Sequence, residues 1–163
     1  MRRFTIFLAV IACFTATTAL AQNPHYLKLV PTIDSTFDYN VSLKEAGLGT
    51  ASTITYVLSA NALFQAQCFT KNGNPVQGTV KSGSGTATQQ TVLEVHSGQT
   101  TGVVELTPAA FNLGFPGCTG NQVQKLISAS YTNVSLNDGA NTVTGFANTC
   151  DTSGICLPDL SAP

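Results

Sequence analysis

Apolar and polar residues alternate along much of this chain, and no segment after residue 21 shows the period of an amphipathic helix. In residues 37–44, for example, Phe37, Tyr39, Val41 and Leu43 alternate with polar residues, so a strand would place all four on one face. Turn residues separate segments of this kind at short intervals. Short, regularly spaced strands of this type predict an all-β sandwich or barrel.

Two later segments leave details of the strands open. Residues 53–68 alternate on either side of Asn61 and form either one long bent strand or two strands that meet there. Residues 126–136 have high β-propensity but an ambiguous face assignment, which a bulge near Thr132 or Asn133 would reconcile. A last strand is expected at 142–147.

A hairpin is predicted at Thr91–Thr107. In the expected register His96 faces Thr101, and residues 97–100 form the loop. Leu93 and Val95 then share the inner face with Val104 and Leu106, so the two strands have consistent faces. Just before the hairpin, Gly78–Thr88 is rich in Gly, Ser and Thr, and its composition predicts a mobile loop long enough to act as a lid.

The first 21 residues have the composition of an export signal. Arg2 and Arg3 precede an apolar stretch that is too short to span a bilayer, and Ala19-Leu20-Ala21 is a small-x-small cleavage site. We therefore expect a secreted or periplasmic protein that begins at Gln22. Residues 10–13 also fit a bacterial lipobox, so the alternative is a protein anchored through lipid on Cys13.

Charge excludes several classes of partner. After residue 21 the chain has no Arg, eight acidic residues and five scattered lysines, namely Lys28, Lys44, Lys71, Lys81 and Lys125. Such a chain does not form a cationic stripe, so binding to nucleic acid or to an anionic membrane is not expected. No segment after Phe14 is long and apolar enough for a membrane span.

Four cysteines remain after the signal: Cys68, Cys118, Cys150 and Cys156. Four cysteines allow three connectivities. Cys150 and Cys156 are close in sequence and can close a small loop, which leaves Cys68 to pair with Cys118. No pair has the CxxC spacing of a zinc or redox site, and exported thiols are usually oxidised, so the cysteines are predicted to form structural disulfides.

Two segments support this interpretation through a resemblance. Residues 68–75 (CFTKNGNP) and 130–136 (SYTNVSL) resemble stretches of small, mostly bacterial, exported proteins with immunoglobulin-like sandwich folds and no assigned activity. The likeness extends from about Phe37 to Asp138. It implies an immunoglobulin-like antiparallel β-sandwich of about seven to nine strands, and it supports the Cys68–Cys118 pairing. It supplies no catalytic residues.

Few residues of this chain are suited to catalysis or to metal binding. The two histidines, His25 and His96, are interpreted as exposed residues flanking turns, and the chain lacks a Gly-x-Ser-x-Gly elbow. Glu94 and Glu105 would be neighbours on the predicted hairpin, but they are interpreted as two solvated charges rather than a glycosidase pair. We therefore predict no catalytic residue, no metal site and no cofactor.

Binding functions remain. Tyr39 and Tyr56 lie on predicted core faces, so Tyr26 and Tyr131 are the candidates for stacking on sugars. Asn40 and Asn133 begin Asn-x-Ser sequons and are possible glycosylation sites.

The sequence thus predicts a monomeric, non-catalytic exported protein that binds a protein or glycan at the cell surface. The alternative is a pilin-like structural subunit of a surface assembly, and a cryptic hydrolase comes third. The expected divisions are a signal peptide (1–21), an N-terminal arm (22–33), a sandwich domain (34–147) and a disulfide-closed C-terminal tail (148–163).

Overall fold

The computed structural model describes residues 23–145, which form seven β-strands and a short 3₁₀ turn. The strands are β1 (His25–Ile33), β2 (Tyr39–Ala46), β3 (Thr53–Phe69), β4 (Lys81–Glu94), β5 (Gln99–Leu106), β6 (Val123–Asn137) and β7 (Thr142–Thr144), and the 3₁₀ turn is Pro108–Phe111. The all-β prediction of seven to nine strands is confirmed over this range. The predicted signal peptide with Cys13, and the tail with Cys150 and Cys156, lie outside the described residues.

The strands form two antiparallel sheets. One sheet has the order β1-β2-β5, and the other has the order β4-β3-β6-β7. Their apolar inner faces pack on each other, as expected for a sandwich. Part of the predicted N-terminal arm belongs to the first sheet, because His25–Ile33 pairs along its length with β2.

The alternation of apolar and polar residues correctly predicted which face of β2 is buried in the core. Tyr39, Val41 and Leu43 are fully buried, whereas Phe37 precedes the strand in a turn, with φ 66°. Their partners in the core come from β3, β5, β6 and the 3₁₀ turn, and include Tyr56, Leu58, Phe64, Val104, Leu106, Phe111, Tyr131, Val134 and Leu136.

The two open questions about strands are resolved. Residues on both sides of Asn61 belong to one 17-residue strand, β3. The register between β3 and β6 shifts opposite Ser59 and Asn61, where Asn133 adopts φ 51°. This bulge keeps both Tyr131 and Val134 on the inner face, as the sequence required.

The predicted hairpin at 91–107 is wrong in its pairing. His96 and Gln99 form one bridge around the two-residue turn Ser97-Gly98, and then the strands separate into different sheets. β4 pairs with β3, and β5 pairs with β2. A Cβ on Gly102 would lie 2.7 Å from Leu93, so the two strands of the predicted hairpin face each other across the core.

The predicted mobile loop at 78–88 is also wrong, because Lys81–Glu94 is a strand that pairs with β3. Gly83 and Gly85 are on its inner face, and the chain after the 3₁₀ turn passes directly over them. A Cβ on Gly85 would lie 2.8 Å from the carbonyl oxygen of Phe111. The glycines therefore provide space for close packing rather than mobility.

The predicted Cys68–Cys118 disulfide is confirmed, with Cα atoms 5.8 Å apart. It joins the end of β3 to the segment that covers Gly83 and Gly85, where Phe115 packs. The bridge thus holds a loop of low secondary-structure content against one end of the sandwich.

Candidate binding face and buried acidic cluster

The middle of the outer face of the four-stranded sheet consists mainly of uncharged polar side chains. Alternate residues of three adjacent strands contribute to it, as the pairing register of β4, β3 and β6 shows. Across its middle they are Ser84, Thr86, Thr88 and Gln90 from β4, Ser59, Asn61, Leu63 and Gln65 from β3, and Ser128, Ser130, Thr132 and Ser135 from β6.

A shallow groove of about 430 Å³ crosses this face. Its lining includes Asn61, Leu63, Thr86, Ser130 and Thr132, and none of its lining residues carries a charge. Leu63 is about half exposed among the hydroxyl and amide groups. The groove therefore presents both hydrogen-bonding groups and one apolar side chain to solvent.

Hydrogen bonds between strands fix the orientation of several of these groups. The Thr86 hydroxyl donates to Asn61 Oδ1 at 2.7 Å, and Ser59 Oγ lies 2.9 Å from Thr88 Oγ1. On the other side, Ser128 donates to Gln65 Oε1 at 3.0 Å. Because the side chains already hold one another, a ligand would meet a partly ordered surface and order fewer rotamers on binding.

A second cluster, inside the sandwich, contains two carboxyl groups and two phenols. The inner face of β2 continues past Leu43 to Glu45, which is fully buried. Tyr56 of β3 donates its hydroxyl to Glu45 Oε2. Asp138, which is 8% exposed, meets Glu45 from the turn after β6, and Tyr26 of β1 faces Asp138.

The pKa values of the two carboxyl groups are shifted in opposite directions. Burial raises the pKa of Glu45 to about 7; the Tyr56 hydroxyl lowers it, and Asp138 raises it. Burial also raises the pKa of Asp138, but hydrogen bonds outweigh it and bring that pKa below its ordinary value. These bonds come from the amides of Asn141 and Ala140 (2.5 and 2.7 Å) and from Glu45.

One shared proton explains this arrangement. Glu45 Oε1 is buried and accepts no hydrogen bond in the structure. A proton on Glu45 converts this oxygen into a donor toward Asp138, and the pair then carries one negative charge. Sequence analysis missed this cluster, although the same period of two that placed Leu43 inward places Glu45 inward.

The structure separates the carboxylates that the sequence brought together. Glu94 is on β4 and Glu105 is on β5, in different sheets, so they do not form the paired arrangement expected on a hairpin. His96 and Glu94 form an ion pair at 3.3 Å, but their side chains are 81% and 80% exposed. Neither residue lines the groove on the four-stranded sheet.

Neither of the predicted sugar-stacking tyrosines presents a fully exposed ring. Tyr131 is 1% exposed and packs in the core, and Tyr26 is half-buried beside Asp138. Of the two sequon residues, Asn133 is exposed at the β6 bulge. Asn40 is half-buried, and its amide nitrogen lies 3.3 Å from Asp34 Oδ2.

Within residues 23–145, no group of three or more His, Cys, Asp or Glu side chains is arranged to hold a metal ion. That same part of the chain has no helix of the length and hydropathy that a bilayer span needs. No family model, curated protein or solved structure matches this chain.

Proposed function

We propose that this chain is an exported, non-catalytic immunoglobulin-like module that binds a neutral, hydroxyl-rich glycan on the outer face of its four-stranded sheet. The observation that carries the proposal is the uncharged groove lined by Asn61, Leu63, Thr86, Ser130 and Thr132. Export rests on the composition of the first 21 residues.

The strand order supports an immunoglobulin-like topology. In constant-type immunoglobulin domains the first, second, fifth and fourth strands form one sheet, and the third, sixth and seventh form the other. Here the order differs only in the fourth strand, because β4 pairs with β3 instead of β5. Both arrangements are Greek-key sandwiches, which fits the resemblance carried by residues 68–75 and 130–136.

The placement of the ionisable groups supports binding rather than catalysis. Glu94 and His96 are at the solvent-exposed end of β4, outside any enclosed pocket, so water would screen their interaction. Glu45 and Asp138 have shifted pKa values, but burial separates them from substrates. A catalytic group needs both a shifted pKa and contact with the reacting atoms.

The chemistry of the groove favours a neutral sugar over other ligands. A sugar ring offers hydroxyls to Asn61, Thr86 and Thr132, and its C–H face suits the exposed Leu63. An anionic ligand would find no cation in the groove lining. Because charge contributes little to such a complex, its affinity should be insensitive to salt.

Binding to an array of neutral oligosaccharides, including gluco-, galacto-, manno- and xylo-oligosaccharides, tests the proposal. The test variant is Thr132→Arg, which places a long charged side chain at the groove. The matched control is Thr101→Arg, because Thr101 is also an exposed threonine on an outer sheet face, but on the three-stranded sheet. We expect wild type and Thr101→Arg to bind equally, and Thr132→Arg to lose binding.

Equal binding by both variants, or binding only to anionic sugars, would overturn the assignment of this face. Concentration-dependent assembly without sugar binding would instead favour the structural-subunit alternative. Light scattering after size-exclusion chromatography distinguishes that outcome from a monomeric binding module.

A further inference from the structure

The acidic cluster is placed where the beginning of β1 meets the rest of the sandwich. Tyr26 lies directly opposite Glu45 in the β1–β2 ladder. The turn that contains Asp138 also holds Asn141, whose Nδ2 donates to the Pro24 carbonyl at 3.1 Å. The start of β1 is therefore held by strand pairing with β2 and by a hydrogen bond from the turn after β6.

The groups around Glu45 offer little compensation for a second negative charge. They are Tyr26 and His25 from β1, Tyr56 from β3 and Asp138 from the turn after β6. Only His25 among them is able to carry a positive charge, and His25 is exposed to solvent. Two carboxylates in contact in a buried site repel each other strongly, so loss of the shared proton has a structural cost.

The first half of β1 is the element that yields most easily to this repulsion. β2 and β3 each have a partner strand on both sides, whereas β1 is an edge strand. Its register with β2 shifts between Tyr26 and Lys28, and the intervening Leu27 is 52% exposed. Few buried contacts and an edge position are features of segments that open locally at low free-energy cost.

We propose that release of the Glu45 proton to solvent separates residues 24–29 of β1 from β2, and that acidification restores the strand pairing. The device is a proton-operated latch: the protonated Glu45 joins β2 to Asp138, and the ionised Glu45 repels it. Opening exposes the backbone hydrogen-bonding groups of the β2 edge, at residues 43–46, to solvent or to another strand.

Hydrogen exchange measured by mass spectrometry tests the latch. Protection factors, corrected for the intrinsic pH dependence of exchange, are compared for peptides covering residues 24–30 and 41–47 at about pH 5 and about pH 8. We expect wild-type protection in both peptides to fall roughly tenfold or more at the higher pH, which corresponds to about 1.4 kcal/mol. Protection of β3 should stay well above that of both peptides at either pH, because β3 opens only when the whole fold unfolds.

Glu45→Gln is the test variant, because its amide donates to Asp138 as the protonated acid does but does not ionise. It should keep high protection at both pH values. Glu105→Gln is the matched control, because Glu105 lies on the outer face of the same sheet. The control should behave like wild type.

Constant wild-type protection, or an unaltered pH response in Glu45→Gln, would overturn the proposal. A titration of ¹³C-labelled Glu carboxyl groups in the wild-type protein gives a test that does not depend on any variant folding. We expect the Glu45 carboxyl and the β1 amides to share one midpoint near 7. An ordinary glutamate midpoint for Glu45 would rule the latch out.

Discussion

The hydroxyl of Tyr131 donates a 2.6 Å hydrogen bond to the main-chain carbonyl of Phe37, 94 residues earlier in the chain. Tyr131 is on β6 in the four-stranded sheet, and Phe37 is in the turn that leads into β2 of the other sheet. The Tyr131 ring also contacts Phe64 and Phe111 edge to face. This one side chain thus links both sheets and the 3₁₀ turn.

Tyr131→Phe should lower the free energy of unfolding by about 1–2 kcal/mol, because it leaves the Phe37 carbonyl without this donor. Tyr39→Phe is the matched control. Tyr39 is equally buried and its ring centroid is 5.0 Å from that of Tyr131, but its hydroxyl has no hydrogen-bond partner. Urea denaturation should show a loss for Tyr131→Phe and none for Tyr39→Phe; equal losses would contradict the bond's role.

Gly85 and Gly117 provide a second matched pair. Gly85→Ala places a methyl group 2.8 Å from the Phe111 carbonyl oxygen, so the covering segment has to move, at a cost of about 1–3 kcal/mol. Gly117→Ala meets no atom within 4 Å, and Gly117 has no positive φ. It should be neutral or slightly stabilising. Thermal unfolding distinguishes the two; a neutral Gly85→Ala would mean that the segment is loosely packed.

Sequence patterns predicted which residues face the core better than they predicted which strands pair. Leu93, Val95 and Val104 were correctly assigned to inner faces. Alternation does not distinguish neighbours within a sheet from residues that meet across the core, since both sets point inward. The short turn at Ser97-Gly98 therefore resembled a hairpin although its strands join different sheets.

Composition misled where tertiary packing overrides local preference. Gly83 and Gly85 lower the β-propensity of their segment, yet the passage of residues 111–115 over them requires residues without a Cβ. Glu45 was not predicted to be a core residue, because a charged residue rarely occupies a core position unless it has a partner. The partner that makes this position tolerable, Asp138, is 93 residues away, and no local pattern connects them.

Removal of the Cys68–Cys118 disulfide should be strongly destabilising. The cysteines are 50 residues apart, and the chain-entropy model gives about 4 kcal/mol for a loop of that length. We expect the double change to Ala at Cys68 and Cys118 to lower the denaturation midpoint far more than Cys156→Ala. Similar losses would show that the C-terminal tail is integral to the fold. Peptide mapping without reduction tests the separate prediction of a Cys150–Cys156 bridge.

His96→Ala and Glu94→Gln should change stability by less than about 0.5 kcal/mol, because both side chains are about four-fifths exposed and their ion pair is screened. Both variants should also bind the same oligosaccharides as wild type. Loss of an activity in either variant, with the unfolding midpoint unchanged, would contradict the non-catalytic interpretation and point to chemistry at this end of β4.

The stability of the protein should fall as the pH rises from about 4.5 to about 7. Across this interval the folded state keeps the proton on Glu45, whose pKa is raised to about 7, while the unfolded chain has released it. The folded state thus binds more protons, and the free energy of unfolding decreases with pH, by an amount on the order of 2 kcal/mol. Asp138 has the opposite effect. Because its pKa is lowered in the folded state, its contribution to stability is lost only when the pH falls below the ordinary pKa of an aspartate.

Urea denaturation at intervals between pH 4 and pH 8 measures this dependence. Wild type should be most stable near pH 4–5 and should reach a lower plateau above pH 7. Glu45→Gln should remove the slope between these values, because the amide does not titrate, while Glu105→Gln should retain it. A slope that survives in Glu45→Gln would mean that a group other than Glu45 controls the pH dependence.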